Sequence, residues 1–137
     1  MKQFIAVLLL AGCSATPSTT ALDQVQRACG AGAGHVEVTL SGYVTRVQGI
    51  RRTRSGDHEG FRFATSSCAV YRRPCAATVL QVEDNTDITG PIPLRRGDSV
   101  TVRGQYECND GVIHWTHRDP AAHHMSGYVK VNGREYY

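Results

Sequence analysis

The feature that most constrains the fold is a series of short segments in which apolar and polar residues alternate. In residues 35–44, Val36, Val38 and Leu40 fall on one face, and Gly42 within the run predicts a bulge or a sharp bend. Segments of the same kind follow around Phe61 and Phe63, over residues 78–82, over residues 100–105 and over residues 112–117. Because alternation buries one face of a β-strand, the domain is predicted to be all-β.

Five strands, the first long and bent by glycine, predict a small five-stranded OB-like barrel. Residues 97–104 (GDSVTVRG) follow a long loop and are typical of the entry into strand four of such a barrel. The last strand is entered through a turn at Asn109, Asp110 and Gly111. An SH3-like barrel and a small sandwich are the alternatives.

The first residues have the pattern of a bacterial lipoprotein signal peptide. Lys2 is followed by an apolar run over residues 4–10, which is much shorter than the ~20 residues needed to span a bilayer. The sequence LAGC, ending at Cys13, fits a lipobox and predicts cleavage before Cys13 and lipidation of that cysteine. The alternatives are an ordinary signal peptide with a chance cysteine and the start of a buried helix.

This reading divides the chain into three parts. Residues 1–12 are the signal peptide, residues 13–34 hold the lipidated cysteine, a polar tether and a short helix, and residues 35–137 form the barrel domain. The helix is predicted over residues 22–29, with Leu22 and Val25 on one side. Ser14 rather than aspartate follows Cys13, which favours the outer membrane, facing the periplasm, over the inner membrane or the cell surface.

Four cysteines remain beyond Cys13, and an even number suits two disulfides in an oxidising compartment. Of three connectivities, we favour Cys68–Cys75, which brackets a short loop, together with Cys29–Cys108, which pins the N-terminal segment to the domain. A zinc site made by these cysteines is disfavoured because paired C-x2-C units are missing.

The charge of the chain is mildly positive, at a formal +3, and this excess alone does not indicate nucleic acid. The arginines nevertheless gather in local clusters: Arg46, Arg51, Arg52 and Arg54; Arg72 and Arg73; Arg95 and Arg96. They are interpreted either as solvated loops or as a surface for an anion such as phosphate, lipopolysaccharide or nucleic acid.

A candidate functional cluster lies near the C-terminus, with one member upstream. It consists of His58, His114, Trp115, His117, Asp119 and His124. On a regular strand His114 and His117 point to opposite faces, so they can share a site only if the strand ends or bulges near Thr116.

Three interpretations of the cluster stay open. In a structural one, Trp115 plugs the barrel while His114, His117 and Asp119 form a hydrogen-bonded network. In a second, His117, Asp119 and His124, with His58 as a further ligand, hold zinc or a related ion. In a third, a histidine acts as general base, Asp119 orients it, and arginines hold a phosphodiester.

The same stretch resembles a domain-of-unknown-function family of small bacterial exported proteins with a GVIHWTH-x-DP motif. The matching residues are GVIHWTHRDP (111–120), His124, Gly127, Tyr128 and the closing NGREYY; weaker matches are SGYVTRV, DHEGFRF and NTDITGPIPLRRGD. The resemblance runs from about residue 35 to the end and implies an exported OB-like barrel, but no activity, substrate or cofactor. Departures are Cys108 in place of an aromatic, Asp84 in place of a histidine, and an insertion over residues 66–75.

The leading functional hypothesis is a non-enzymatic envelope lipoprotein whose barrel binds an anionic ligand or a protein partner. It predicts a concave face with arginines and aromatic residues such as Tyr43, Tyr71 and Tyr106. The alternative is a histidine-based or metal-dependent hydrolase resembling a phosphodiesterase or nuclease. That alternative lacks a pair of carboxylates beside the histidines, although Asp57 and Glu59 flank His58.

Overall fold

The computed structural model describes residues 20–137, so the predicted signal peptide, Cys13 and nearly all of the tether lie outside the described residues. Helix α1 (Ala21–Gly30) begins with a capping box, in which Thr20 and Asp23 exchange side-chain and backbone hydrogen bonds. Val25 of α1 is buried in the core, which confirms the helix predicted over residues 22–29. Within residues 20–137, no helix has both the length and the apolar character needed to cross a membrane.

Seven strands form one sheet that closes on itself. They are β1 (His35–Thr53), β2 (Gly56–Ala64), β3 (Val79–Asn85), β4 (Ser99–Glu107), β5 (Val112–His114), β6 (Tyr128–Val131) and β7 (Arg134–Tyr136). A 3-10 turn (Ser67–Ala69) precedes β3, and a short helix α2 (Thr86–Thr89) follows it. Strand β1 pairs with both β2 and β4, so five strands make a closed ring in the order β1-β2-β3-β5-β4. The β3–β5 pairing is parallel, and the other pairings are antiparallel.

Strand β1 can serve two neighbours because it changes partner beside Gly42. Its residues up to Tyr43 pair with β4, and those from Tyr43 onward pair with β2. A Cβ atom at position 42 would collide with the carbonyl oxygen of Ala64, so the close crossing requires glycine. Register irregularities after Val44 and Val47 curve the strand further.

The ring encloses an apolar core that comes mainly from the predicted alternating faces. Completely buried members are Val44, Phe61, Phe63, Val82, Val102, Ile113 and Val129. Removing a buried phenylalanine ring from such a core costs about 3–5 kcal/mol. The core therefore accounts for a large share of the stability of a small domain.

Both predicted disulfides are confirmed. Cys29–Cys108 joins α1 to the residue that follows β4, with a Cα–Cα distance of 5.4 Å. Cys68–Cys75 closes the loop between β2 and β3, with a Cα–Cα distance of 6.2 Å. The first bond fixes the N-terminal helix to the end of β4, which pairs there with the start of β1.

One strand prediction is wrong in its extent, and two strands were missed. The strand predicted over residues 112–117 ends at His114, because Trp115 adopts a left-handed backbone conformation with φ 57°. Strands β6 and β7 were not predicted at all. They form a hairpin through Asn132 and Gly133, whose φ values of 47° and 90° suit the tight turn that an Asn-Gly pair favours.

Candidate functional site

The segment that follows β5, residues 115–120, which we call the motif segment, carries Trp115, His117 and Asp119 of the candidate cluster. Two glycines give it room: a Cβ on Gly104 would collide with the carbonyl oxygen of His114, and one on Gly127 with that of Trp115. The backbone N–H of Gly127 also donates a 2.8 Å hydrogen bond to the carbonyl oxygen of His117. The segment is thus packed tightly against β4 and the start of β6.

Trp115 points outward from this segment. Its side chain is 45% exposed, whereas the neighbouring Thr116 is completely buried. The left-handed backbone at Trp115 reverses the inside–outside order that a regular strand would give. The prediction that Trp115 plugs the barrel is therefore wrong.

A buried carboxylate, Asp84 of β3, anchors the segment from below. One of its oxygens accepts a 2.6 Å hydrogen bond from the Thr116 hydroxyl, and the other accepts one from Thr89. Burial raises the pKa of Asp84, although these hydrogen bonds and the nearby His117 and His58 act in the opposite direction. Asp84 therefore holds its proton more readily than an exposed aspartate.

A second buried carboxylate lies opposite Asp84 in the β2–β3 register. Glu59 is 6% exposed and accepts a 2.8 Å hydrogen bond from the backbone N–H of Ile92. Burial raises the pKa of Glu59, the Ile92 hydrogen bond lowers it, and the negative charge of Asp84 raises it. Glu59 thereby holds the loop after α2 against the sheet.

A cavity of about 610 Å³, which we call the first cavity, opens beside the hydrogen bond between Asp84 and Thr116. Its walls are Ser55, His58, Glu83, Asn85, Glu107, Asn109, Asp110, His114, Trp115 and His117. Four members of the predicted cluster therefore meet here: His58, His114, Trp115 and His117. They meet because β5 lies beside β3, and β3 pairs with β2, which carries His58.

One of these histidines has a defined tautomer. His117 Nδ1 lies 2.8 Å from the carbonyl oxygen of Arg118. A carbonyl can only accept, so His117 Nδ1 carries the proton and Nε2 keeps its lone pair in the neutral ring. His117 can then accept a hydrogen bond through Nε2. His58 Nδ1 lies 3.1 Å both from the carbonyl oxygen of Gly56 and from the Thr53 hydroxyl, which can donate or accept.

Glu83 is the wall residue that sequence reasoning missed. It is 8% exposed, and its Oε1 pairs with Arg51 Nη2 at 2.6 Å and accepts a 3.1 Å hydrogen bond from Gln81. Its Oε2 is buried and has no hydrogen-bond partner within residues 20–137. A buried carboxylate oxygen without a donor is costly, which marks Glu83 as a group that can gain from a ligand.

A second cavity, of about 630 Å³, lies on the other side of Trp115. Trp115 and His117 line both cavities, and Arg118, Asp119 and His124 line the second alone. The ring centroids of Trp115 and His124 are 4.4 Å apart. Trp115 is therefore a shared wall that His124 supports.

Asp119 organises the loop around this second cavity. Its carboxylate accepts hydrogen bonds from the backbone N–H groups of Ala121, at 3.0 Å, and His124, at 2.7 Å. Burial acts to raise the pKa of Asp119, but backbone hydrogen bonds from His124, His123 and Ala121 outweigh it and lower the pKa. The carboxylate is thus held in its charged form as a loop cap.

This geometry corrects the three interpretations of the cluster. Asp119 bonds to its own loop instead of joining His114 and His117 in a network. Its carboxylate lies 3.7 Å from His124 Nε2, which is too long for the hydrogen bond that would orient a general base. In the described part of the chain, no three His, Cys, Asp or Glu residues are arranged to hold a metal ion, so the set His117, Asp119 and His124 is not formed.

The clustered arginines do not line the first cavity, although one of them, Arg51, pairs with its wall residue Glu83. Arg52 pairs with half-buried Asp57, and Arg96 donates to the carbonyl oxygens of Thr45 and Val70. Tyr43, Tyr71 and Tyr106 do not line either cavity described for residues 20–137. The predicted concave face of arginines and tyrosines is absent from both.

A family model described as "Protein of unknown function (DUF3465)" matches residues 7–137. No curated protein and no solved structure matches the chain. The match confirms the resemblance to a domain-of-unknown-function family.

Proposed function

The chain belongs to this family of proteins of unknown function, and we propose that it is a lipid-tethered binding module built on an OB-like barrel, with its ligand in the first cavity. The strand order of the ring and the parallel pairing of β3 with β5 support the OB-like assignment. Such barrels bind ligands on strands two and three and on the loops that connect strand one to two and strand four to five.

One observation carries this proposal: the first cavity is lined by those same elements. Ser55 comes from the loop between β1 and β2, His58 from β2, Glu83 from β3, and Asn109 from the loop between β4 and β5. The remaining wall is the motif segment with Trp115. The cavity thus lies where a barrel of this topology is expected to bind.

Trp115 supports the same proposal. A left-handed φ for a bulky residue costs of order 1–3 kcal/mol and persists only when the surrounding structure enforces it. In this protein the strained conformation directs a large aromatic ring toward the cavity, where Trp115 is 45% exposed, instead of into the core. An aromatic platform of this kind can stack on the apolar face of a ligand.

The charge of the cavity narrows the ligand class. Its wall holds three acidic residues, Glu83, Glu107 and Asp110, and neither lysine nor arginine. A polyanion such as nucleic acid would be repelled there. We therefore propose an uncharged or cationic polar ligand for this cavity, instead of the anionic ligand expected from the arginine clusters.

A fragment screen by protein-observed NMR tests the binding site. Because Trp115 is the only tryptophan, its indole N–H gives a single reporter signal. We expect fragments that bind to shift this signal and the backbone amide signals of the cavity wall, and Trp115→Ala to abolish the amide shifts. Tyr71→Ala, which removes a 69% exposed aromatic outside the cavity, is the control and should leave binding intact. Binding that survives in Trp115→Ala, or hits confined to other surfaces, would refute the proposal.

We further propose that lipid on Cys13 holds the module to the bacterial envelope, on the outer membrane facing the periplasm. The LAGC sequence supports lipidation, and the two disulfides suit an oxidising compartment. Metabolic labelling with an alkyne fatty acid in a Gram-negative host should label the wild-type chain and Ser14→Ala, but not Cys13→Ser. An unlabelled wild-type protein, or a labelled Cys13→Ser, would contradict lipidation.

A further inference from the structure

The unpartnered oxygen of Glu83 gives the first cavity a more specific chemistry. We propose that the cavity selects ligands that carry an ammonium group, and that Arg51 occupies Glu83 as an internal substitute until such a ligand displaces it. This inference rests on the proposed function, since it concerns the same cavity.

The first step is that the buried Glu83 carboxylate lacks a hydrogen-bond donor for one of its oxygens within the described residues. The residue is more than nine-tenths buried, one oxygen is bound by Arg51 and Gln81, and the other has no donor within the described residues. Buried carboxylates are stable only when paired and hydrogen-bonded. A ligand N–H group that reached Oε2 would donate the hydrogen bond that this oxygen lacks within the described residues.

The second step is that a ligand cation can take the place of Arg51. The Arg51 side chain is 58% exposed while that of Glu83 is 9% exposed, so Arg51 approaches the carboxylate from solvent. Water can solvate the released guanidinium, whereas Glu83 needs a new partner, so Arg51 leaves only when another cation replaces it. A small cation that enters the cavity can therefore compete with Arg51 for the same carboxylate.

The third step is that the rest of the wall favours a cation. Glu107 and Asp110 add negative charge, and the wall contains neither lysine nor arginine to oppose it. The indole face of Trp115 attracts a nearby ammonium group through its π electrons. The negative charge of the wall, the carboxylate oxygen without a donor and the aromatic surface thus favour the same ligand chemistry.

The test compares two probes of equal size, 2-phenylethylamine and 2-phenylethanol, titrated into the protein while the Trp115 indole signal is followed. We expect the amine to bind about tenfold more tightly, as one charge-assisted hydrogen bond would give. Glu83→Gln should bring the two affinities close together. Arg51→Gln should tighten the amine severalfold and leave the alcohol unchanged. Arg52→Gln is the matched control, since it removes the adjacent positive charge, which pairs with Asp57 outside the cavity.

The outcomes separate the inference from the proposed function. If the alcohol binds at Trp115 as tightly as the amine, ammonium selection is wrong and the binding site stands. If neither probe moves the Trp115 signal, both fail. Should Glu83→Gln not fold, Arg51→Gln decides alone, because its affinity for the amine must rise while that of Arg52→Gln does not.

Discussion

The hydroxyl of Thr116 donates a 2.6 Å hydrogen bond to the carboxylate of Asp84, and both side chains are completely buried. This bond joins the motif segment to β3, although the two residues are 32 positions apart in the chain. It lies directly beneath Trp115 and His117, so the shape of the first cavity depends on it.

Removing this donor should destabilise the protein. Thr116→Val keeps the shape of the side chain but leaves one oxygen of Asp84 without its partner. We expect the free energy of unfolding to fall by about 1–3 kcal/mol in urea titrations. Thr101→Val, which removes a hydroxyl bonded to Ser41 on the surface, is the control and should change stability by less than about 0.5 kcal/mol. Equal effects of the two substitutions would show that the buried hydrogen bond contributes no more to the free energy of unfolding than the surface one.

The raised pKa of Asp84 predicts how stability varies with pH. A carboxyl group whose pKa is higher in the folded than in the unfolded state binds more protons when folded. Its contribution to stability is therefore fully present below the unfolded value of about 3.9 and is lost as the pH rises through the folded pKa. Asp84→Asn has no such group. We expect the stability of the wild-type protein, relative to that of Asp84→Asn, to decrease from about pH 4 upward. A difference that stays constant with pH would contradict the raised pKa.

The two disulfides should contribute unequally. Cys29–Cys108 spans 79 residues of sequence and Cys68–Cys75 spans seven. In the chain-entropy model, the longer loop restrains the unfolded chain more, by about 2 kcal/mol. Replacing Cys29 and Cys108 by serine should thus lower the free energy of unfolding by about 2 kcal/mol more than the same change at Cys68 and Cys75. Chemical denaturation of the two double variants measures this, and a reversed order would contradict it.

Gly127 should be intolerant of any side chain. A methyl group there would collide with the carbonyl oxygens of Trp115 and Arg103. We expect Gly127→Ala to cost about 1–3 kcal/mol and to shift the emission of Trp115, because the motif segment must move away. Gly34→Ala is the control, since a Cβ at position 34 meets nothing within 4 Å. Unchanged Trp115 emission in Gly127→Ala would show that the segment is held by other contacts.

Local patterns predicted much of the fold. Alternation gave the apolar faces of the ring strands, a glycine within a long alternating run predicted the bend of β1, and cysteine parity with loop length gave both disulfides. These features depend on neighbours in sequence, so the sequence displays them. The β6–β7 hairpin also had a local signal, since Val129 and Val131 alternate before Asn132-Gly133, and that signal was overlooked.

The candidate site was harder to predict because it depends on contacts between distant strands. Val82, Glu83 and Asp84 are consecutive and all buried, so β3 is covered on both faces at this point. Alternation alone assigns an acidic residue to solvent, and only closure of the ring shows what covers it. The prediction for Trp115 was wrong for a related reason. Its left-handed φ, which the spacing of residues does not reveal, reverses which residues face inward.

The covalent bond between Cys29 and Cys108 also determines how the protein would respond to mechanical load. A pull applied between the two ends of the chain would pass from α1 directly to the residue after β4, and would bypass the 79-residue separation that the disulfide spans. Strands β1 to β4 would carry no extension, while β5, the Trp115 segment and the β6–β7 hairpin would unravel first. Under tension, the Trp115 wall of the first cavity would be lost before the rest of the sheet, and a ligand of the proposed kind would be released while most of the domain stayed folded.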